Sequence, residues 1–370
     1  MICFIHFFGM LSAQTKKDFK ITGDLSKVAT PAKKIMFSYW PDSTLKTDTC
    51  IVKNGKYYFA GQITEPQLVY LTVLSGDFDQ HNYGSFFLDP GVVEIVSDKI
   101  FSHLKVTGSK SQEAYAGWQI LLKKDESSLA AVYQQRDSFR LLFEEIKRPE
   151  DSISIQEFQK QSTAILRKMM EINITYAKSH LNSPVTMDVI ASIWLPEYAK
   201  QQEEIFFMMP EAQRQTRIGK ELAAKIAVRP GHKAPDFSLP DTTGKMVRLS
   251  SFRGKYVLLE FWASWCGPCR AESPYLKDAF TSYGNKGFTI FSVSCDKADT
   301  KKAWLEAIHN DGTGQWTQTS SLTGKYNVAS LAYGRIDNIP ANFLIDPQGN
   351  IIAKDLRGEA LDKKLKEIFN

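Results

Sequence analysis

Cys266 and Cys269 stand two residues apart in the run Tyr256-Val-Leu-Leu-Glu-Phe-Trp-Ala-Ser-Trp-Cys-Gly-Pro-Cys-Arg270, where an apolar strand gives way to a helix start. The first thiol of such a pair lies near unpartnered backbone N–H groups and the positive end of the helix dipole, which favours thiolate over thiol. Cys269, one turn further in, is placed to resolve a mixed disulfide formed on Cys266. Gly267 is expected to permit a tight turn. Pro268 is tolerated in a first helical turn, whose N–H groups have no intrahelical partner. Together these residues fit disulfide exchange. Zinc binding would need two further ligands, and the chain has no second cysteine pair or clustered histidine pair downstream; His309, alone on a predicted helix, is the one downstream histidine. A purely structural disulfide closing so short a loop would add little to a 370-residue chain with room for sizeable cores.

Glu260 interrupts Val257-Leu-Leu-Glu-Phe-Trp262, a run otherwise apolar on both faces, as expected of a central strand. A carboxylate is expensive there without a purpose. Desolvation should raise its proton affinity towards neutrality, where it can take a proton from Cys269 as that thiol attacks the mixed disulfide. The alternative is a strand-end carboxylate paired with Lys or Arg and serving structure alone. Further on, Asn338-Ile-Pro-Ala-Asn-Phe-Leu-Ile-Asp346 reads as a buried strand entered through Pro340 and left through the turn Pro347-Gln-Gly-Asn350.

Trp262, Ala263, Trp265, Cys266, Gly267, Pro268 and Cys269 together resemble the active-site segment of the thioredoxin superfamily. The lead from His232 to Lys255, with its His-Lys-Ala-Pro-Asp-Phe opening, is similar to the AhpC/TSA-type entry shared by peroxiredoxins and by the TlpA/ResA-like thiol-disulfide oxidoreductases of bacterial envelopes. The resemblance runs from there to the C-terminus. It implies an α/β thioredoxin-like domain over residues 231–370, a mixed sheet flanked by helices. It also implies catalytic roles for Cys266, Cys269, Glu260 and Pro340, supported by Trp265, Gly267, Pro268 and Ile339. Glu260 stands six residues before Cys266, where thioredoxins carry a buried acid, often the shorter Asp. Pro340 is implied as the cis proline facing the dithiol, with the backbone of Ile339 exposed for pairing with an extended substrate. The same resemblance implies a protein disulfide as substrate, an upstream thiol redox partner that can be membrane-bound, and no cofactor or metal beyond the Cys266–Cys269 pair itself. The Gly-Pro dipeptide favours a reductase or isomerase over a strong oxidant.

Two other function classes compete. A thiol peroxidase would need Thr-X-X-Cys around its peroxidatic thiol, and Ala263-Ser-Trp-Cys266 lacks the Thr. A partner-binding or scaffold protein would use the redox domain only to modulate what the rest of the chain holds.

The elements in front of the dithiol are numerous. At 370 residues the chain is long enough for two or three units. Residues 18–107 read as seven short strands with turn punctuation: 34–39, 49–52, 57–63, 67–73, 85–88, 92–96 and 103–106. They predict a β-sandwich or barrel-like domain, with Asn54-Gly55 as a hairpin signal. This part resembles the domain of unknown function that precedes thioredoxin-like domains in many envelope proteins. Residues 108–227 change to helical periodicity, with helices predicted over 111–124, 127–147, 154–180 and 210–227 and a linker at Pro230-Gly231.

Net charge is +5, from 46 basic and 41 acidic residues, and no basic stretch is interleaved with aromatics, which argues against a nucleic-acid partner. Residues 1–13 are apolar up to Ala13 and too short to span a membrane as a helix. They resemble the apolar core and cleavage site of a secretory signal lacking its positive start, which predicts cleavage after Ala13 and a periplasmic or cell-envelope location. Cys3, Cys50 and Cys295 complete the cysteines; they form no disulfide framework, and Cys50 and Cys295 read as packed thiols on strands.

Overall fold

The computed structural model describes residues 15–28, 32–74, 82–146 and 150–370, the side chains of 136–155 excepted. The apolar leader expected over residues 1–13, with Cys3, lies outside them. The chain divides into two compact units, residues 1–219 and 220–370. The division falls earlier than the Pro230-Gly231 turn.

The first unit opens with eight strands: β1 (Lys17–Val28), β2 (Lys34–Tyr39), β3 (Lys46–Ile51), β4 (Lys56–Ile63), β5 (Gln67–Val73), β6 (Tyr83–Leu88), β7 (Gly91–Lys99) and β8 (Leu104–Thr107). They form two four-stranded sheets, ordered β4-β1-β7-β8 and β3-β2-β5-β6. Alternate residues of both sheets, among them Phe19, Ile21, Phe37, Tyr39, Phe59, Leu71 and Ile95, meet in one core, so the unit is a β-sandwich.

Sequence periodicity missed β1, the longest strand, which pairs with both β4 and β7. Its apolar alternation is thinned by charges and by Gly23. That glycine is required by tertiary packing: the Tyr57 ring lies over it, and a Cβ would come within 1.8 Å of the ring. The Asn54-Gly55 turn does take the positive φ at both residues that a tight hairpin needs, 51° and 72°. It closes only the Lys53–Lys56 bridge before β3 and β4 part into different sheets.

Helices come next. The first, α1 (Lys110–Ile146), is continuous where two helices were expected. Ser127 and Ser128 bond back to the carbonyls of Lys123 and Lys124 and do not break it. Beyond it lie α2 (Glu150–Ser179), α3 (Val185–Ala191), α4 (Ala199–Met208), α5 (Glu211–Arg214) and α6 (Arg217–Ile226), the last two dividing the single helix expected over 210–227. Buried Asn173 of α2 links neighbours, accepting from the Trp118 indole at 2.8 Å and donating to Ser192 at 3.0 Å.

In the second unit a short pair, β9 (Ser238–Pro240) and β10 (Met246–Arg248), precedes the main sheet. That sheet is built from β11 (Tyr256–Trp262), β12 (Phe288–Ser294), β13 (Thr317–Thr319), β14 (Ala341–Ile345) and β15 (Ile351–Lys354), in the order β13-β12-β11-β14-β15. Its helices are α7 (Gly267–Tyr283), α8 (Lys301–Asp311), α9 (Val328–Ala332) and α10 (Glu359–Phe369). Strands β11, β12 and β13 are mutually parallel, β14 runs antiparallel to β11, and β15 antiparallel to β14, giving a mixed sheet with β11 at its centre. Side-chain alternation sends Val257, Leu259 and Phe261 into one core with Phe237, Phe291 and Tyr333. Leu258 goes into the other, with Leu276 of α7 and Leu361 and Leu365 of α10. This is the α/β thioredoxin-like arrangement, and its central strand ends just before the loop that carries the dithiol into α7.

Candidate active site

Cys266 occupies the N-cap of α7 and accepts the Cys269 N–H on its sulfur at 3.2 Å. The pair is joined as a disulfide, with Cα atoms 5.3 Å apart. Both cysteines are 5% exposed, while Trp265 beside them is 63% exposed. Gly267 is not in the left-handed region, so the expected tight turn is not what favours glycine there. A Cβ at this position would meet nothing within 4 Å. What glycine leaves is open space next to Cys266.

Ile339 packs against the dithiol cluster, which also holds Trp262, Trp304 and Cys295. The Ile339–Pro340 peptide is cis, and the Arg357 guanidinium donates to the Pro340 carbonyl. The structure thus gathers Cys266, Cys269, Trp265, Gly267, Pro268 and Ile339–Pro340 at one end of the sheet. Leu322, from the long stretch between Trp316 and Asp337, packs on the same cluster.

Glu260 sits on β11 between Leu258 and Trp262, on the face that α7 covers. The residue keeps some exposure at its margin, but protein encloses the carboxylate, and that desolvation pushes its pKa up to about 7. The Glu272 carboxylate of α7 adds to the rise, while a hydrogen bond from Ser292 Oγ to Glu260 Oε1, 2.9 Å, opposes it. Among the described residues no Lys or Arg pairs with Glu260, so the structural ion pair is not its setting.

Sequence reasoning missed Asp296, which is fully buried at the end of β12. Its carboxylate accepts from Ser264 N at 2.9 Å, Ser264 Oγ at 2.6 Å and Ser294 Oγ at 2.7 Å, so it pins the chain two residues before Cys266. An acid just beyond the carboxyl end of a buried strand, where α/β sheets place their sites, was the available signal. The neighbouring Cys295 is 2% exposed; burial, with the Asp296 carboxylate next, pushes its thiol up to about 12. It is a packed thiol in the wall of the site, and Cys50 is a half-buried thiol on β3 of the first unit. Among the described residues, no group of three or more His, Cys, Asp or Glu is arranged to hold a metal ion.

A helix-capping dithiol on a thioredoxin-like sheet defines a thiol-disulfide oxidoreductase of the thioredoxin superfamily. The AhpC/TSA family matches residues 230–354, and a domain of unknown function, DUF4369, matches residues 19–115. The chain is 33% identical over 137 residues to the thiol-disulfide oxidoreductase ResA of Bacillus thuringiensis subsp. konkukian, covering 37% of this chain and 75% of that protein. ResA of Bacillus subtilis is 29% identical over 148 residues, 40% of this chain and 78% of that one. Among solved structures, a thiol-disulfide oxidoreductase from Bacteroides fragilis is 40% identical, covering 37% of this chain and 98% of that chain at a TM-score of 0.34. The thioredoxin domain of a thiol-disulfide oxidoreductase from Bacteroides vulgatus is 36% identical over 38% of this chain and 99% of that chain, at a TM-score of 0.36. The chain belongs to the TlpA/ResA-like thiol-disulfide oxidoreductases, with the DUF4369 domain in front of the enzyme domain.

Proposed function

We propose that this chain reduces or isomerises protein disulfides in the cell envelope through Cys266 and Cys269. The observation that carries the reading is the position of Cys266 Sγ over the Cys269 N–H at the head of α7, which stabilises a thiolate once the disulfide is reduced. Cys266 thiolate attacks one sulfur of the substrate disulfide, whose other sulfur leaves as thiolate and takes a proton. Cys269 then gives its proton to Glu260 and attacks Cys266, releasing the second substrate thiolate. Two electrons pass to the substrate, whose first thiolate is protonated from solvent and whose second takes back the Cys269 proton held by Glu260, and Cys266–Cys269 is left as the disulfide.

An upstream thiol donor, membrane-bound for an exported protein, must reduce that disulfide before the next cycle; the dithiol itself serves in place of a cofactor. Pro340 and Ile339 border the dithiol as the platform for the substrate strand, and Trp265 offers an exposed ring beside it. The envelope assignment is supported by the apolar segment ending at Ala13 and by the few cysteines outside the pair. The test is reduction of insulin disulfides by the full chain. Cys266→Ser should abolish turnover, and Cys269→Ser should accumulate the mixed disulfide, which can be isolated from envelopes with its substrate attached. Turnover that survives Cys266→Ser, or peroxide consumption in place of disulfide reduction, overturns the reading.

A further inference from the structure

We propose that Ser292 and Trp316 are positioning residues for Glu260: a directed hydrogen-bond chain ties one carboxylate oxygen and leaves the other to take the Cys269 proton. This rests on the reading of Glu260 as proton acceptor. Glu260 and Ser292 are paired residues on the parallel strands β11 and β12, and Trp316 stands at the entry of β13, the next strand out. The Trp316 indole N–H donates to Ser292 Oγ at 2.8 Å, and Ser292 Oγ donates to Glu260 Oε1 at 2.9 Å.

Donor counting sets the direction of this chain. An indole nitrogen can only donate, and a serine hydroxyl has one proton and two lone pairs. Trp316 occupies a lone pair of Ser292, and an ionised Glu260 can only accept, so Ser292 gives its one proton to the carboxylate. The relay is held rigidly: Ser292 is fully buried, Trp316 is 7% exposed, and the indole packs on Phe280 of α7 with ring centres 5.5 Å apart. With Oε1 tied, Oε2 is the oxygen left for proton exchange under α7, whose first turn carries Cys269.

Other groups facing Glu260 are spoken for. From α7 comes the Glu272 carboxylate, which accepts the Gly358 N–H at 2.9 Å. From β14 comes Asn342, paired in register with Glu260 and bonded through its amide to the backbone of Leu356. Burial, with Glu272 adding to it, favours the protonated acid, and Ser292 is the group that favours the carboxylate.

The experiment monitors the full-length protein in single turnover with a fluorophore-quenched peptide disulfide. It reads formation and decay of the mixed disulfide separately, from about pH 5 to pH 9. Ser292→Ala should move the midpoint of the decay step up by about one pH unit and slow it about tenfold below that midpoint, leaving the formation step unchanged. Ser292→Thr, which keeps the hydroxyl, should restore the native midpoint. Should Ser292→Ala fail to fold, Trp316→Phe keeps the ring and removes the N–H, and must move the midpoint in the same direction. Glu260→Gln serves as the control. If it abolishes the pH limb while the Ser292 and Trp316 variants keep the native midpoint, the relay is overturned and the acid stands. If Glu260→Gln leaves the limb in place, the reading of Glu260 itself falls.

Discussion

Each unit of this chain encloses a carboxylate whose pKa burial pushes up to about 7, Asp188 in the first and Glu260 in the second. Their surroundings differ. Arg217 draws Asp188 back towards ionisation, and the guanidinium lies over the Trp40 ring, 4.3 Å from its centre. The tyrosines near Asp188, Tyr70 and Tyr115, have their own pKa values raised by burial, with the Asp188 charge adding. Burial thus holds both tyrosines further from proton exchange near neutrality. Among the described residues Glu260 pairs with no cation and takes one hydrogen bond, from Ser292, on the strand that leads into the dithiol. A perturbed acid therefore marks a reactive site only where a group that must lose a proton lies beside it. The first unit keeps its acid within packing; under the proposed function the second unit's acid serves the sulfur chemistry.

The comparison is broken most directly at Glu260. Glu260→Gln should slow resolution of the mixed disulfide by about a hundredfold at neutral pH while leaving its formation intact, measured by single-turnover quenching. The sign of the accompanying stability change is also set. A carboxyl whose folded pKa is raised holds more protons folded than unfolded between its ordinary value, 4.5, and about 7, so stability falls as pH rises through that window. Glu260→Gln should remove that fall, raising the melting temperature of the second unit above pH 7 by about 3 °C and changing little at low pH.

Asp296→Asn tests whether the second unit's polar interior positions its cysteines. An amide offers one acceptor oxygen where the carboxylate offers two, so the three donors on Asp296 cannot keep their present arrangement. Attack by Cys266 on a peptide disulfide should slow about tenfold. Gly23→Ala probes the first unit, where the new methyl would collide with the Tyr57 ring. We expect a loss of about 1–3 kcal/mol in that unit's stability by denaturant unfolding, with disulfide reduction unchanged. The smallest effect is expected at Asp188. Asp188→Asn should remove a penalty present above about pH 7, raising the first unit's melting temperature by a few degrees there, and should leave turnover within about twofold. A large loss of turnover in Asp188→Asn would erase the distinction between the two acids.

Local signals in the chain were sufficient for the dithiol, the helix that begins at it, the strand before it and the oddity of Glu260, because each depends on residues within a few positions of one another. The strands β2, β5 and β12 were legible by the same means, through alternation or an unbroken apolar run. Strand β1 was not, since its charges and Gly23 make sense only opposite Tyr57 on β4. Nor could the Asn54-Gly55 turn announce that its two arms enter different sheets. Ser292 and Trp316 carry no local mark, and Asp296 only its place just beyond a buried strand. Their partners lie 32, 24 and 32 residues away along the chain, and the register of β11 against β12 decides that Ser292, and not a neighbour, meets Glu260. The sequence alone determined which atoms can react. Which oxygen of Glu260 is free, and what holds the loop before Cys266, was decided by strand pairing, because hydrogen-bond partners across a sheet are chosen by register and not by proximity in the chain.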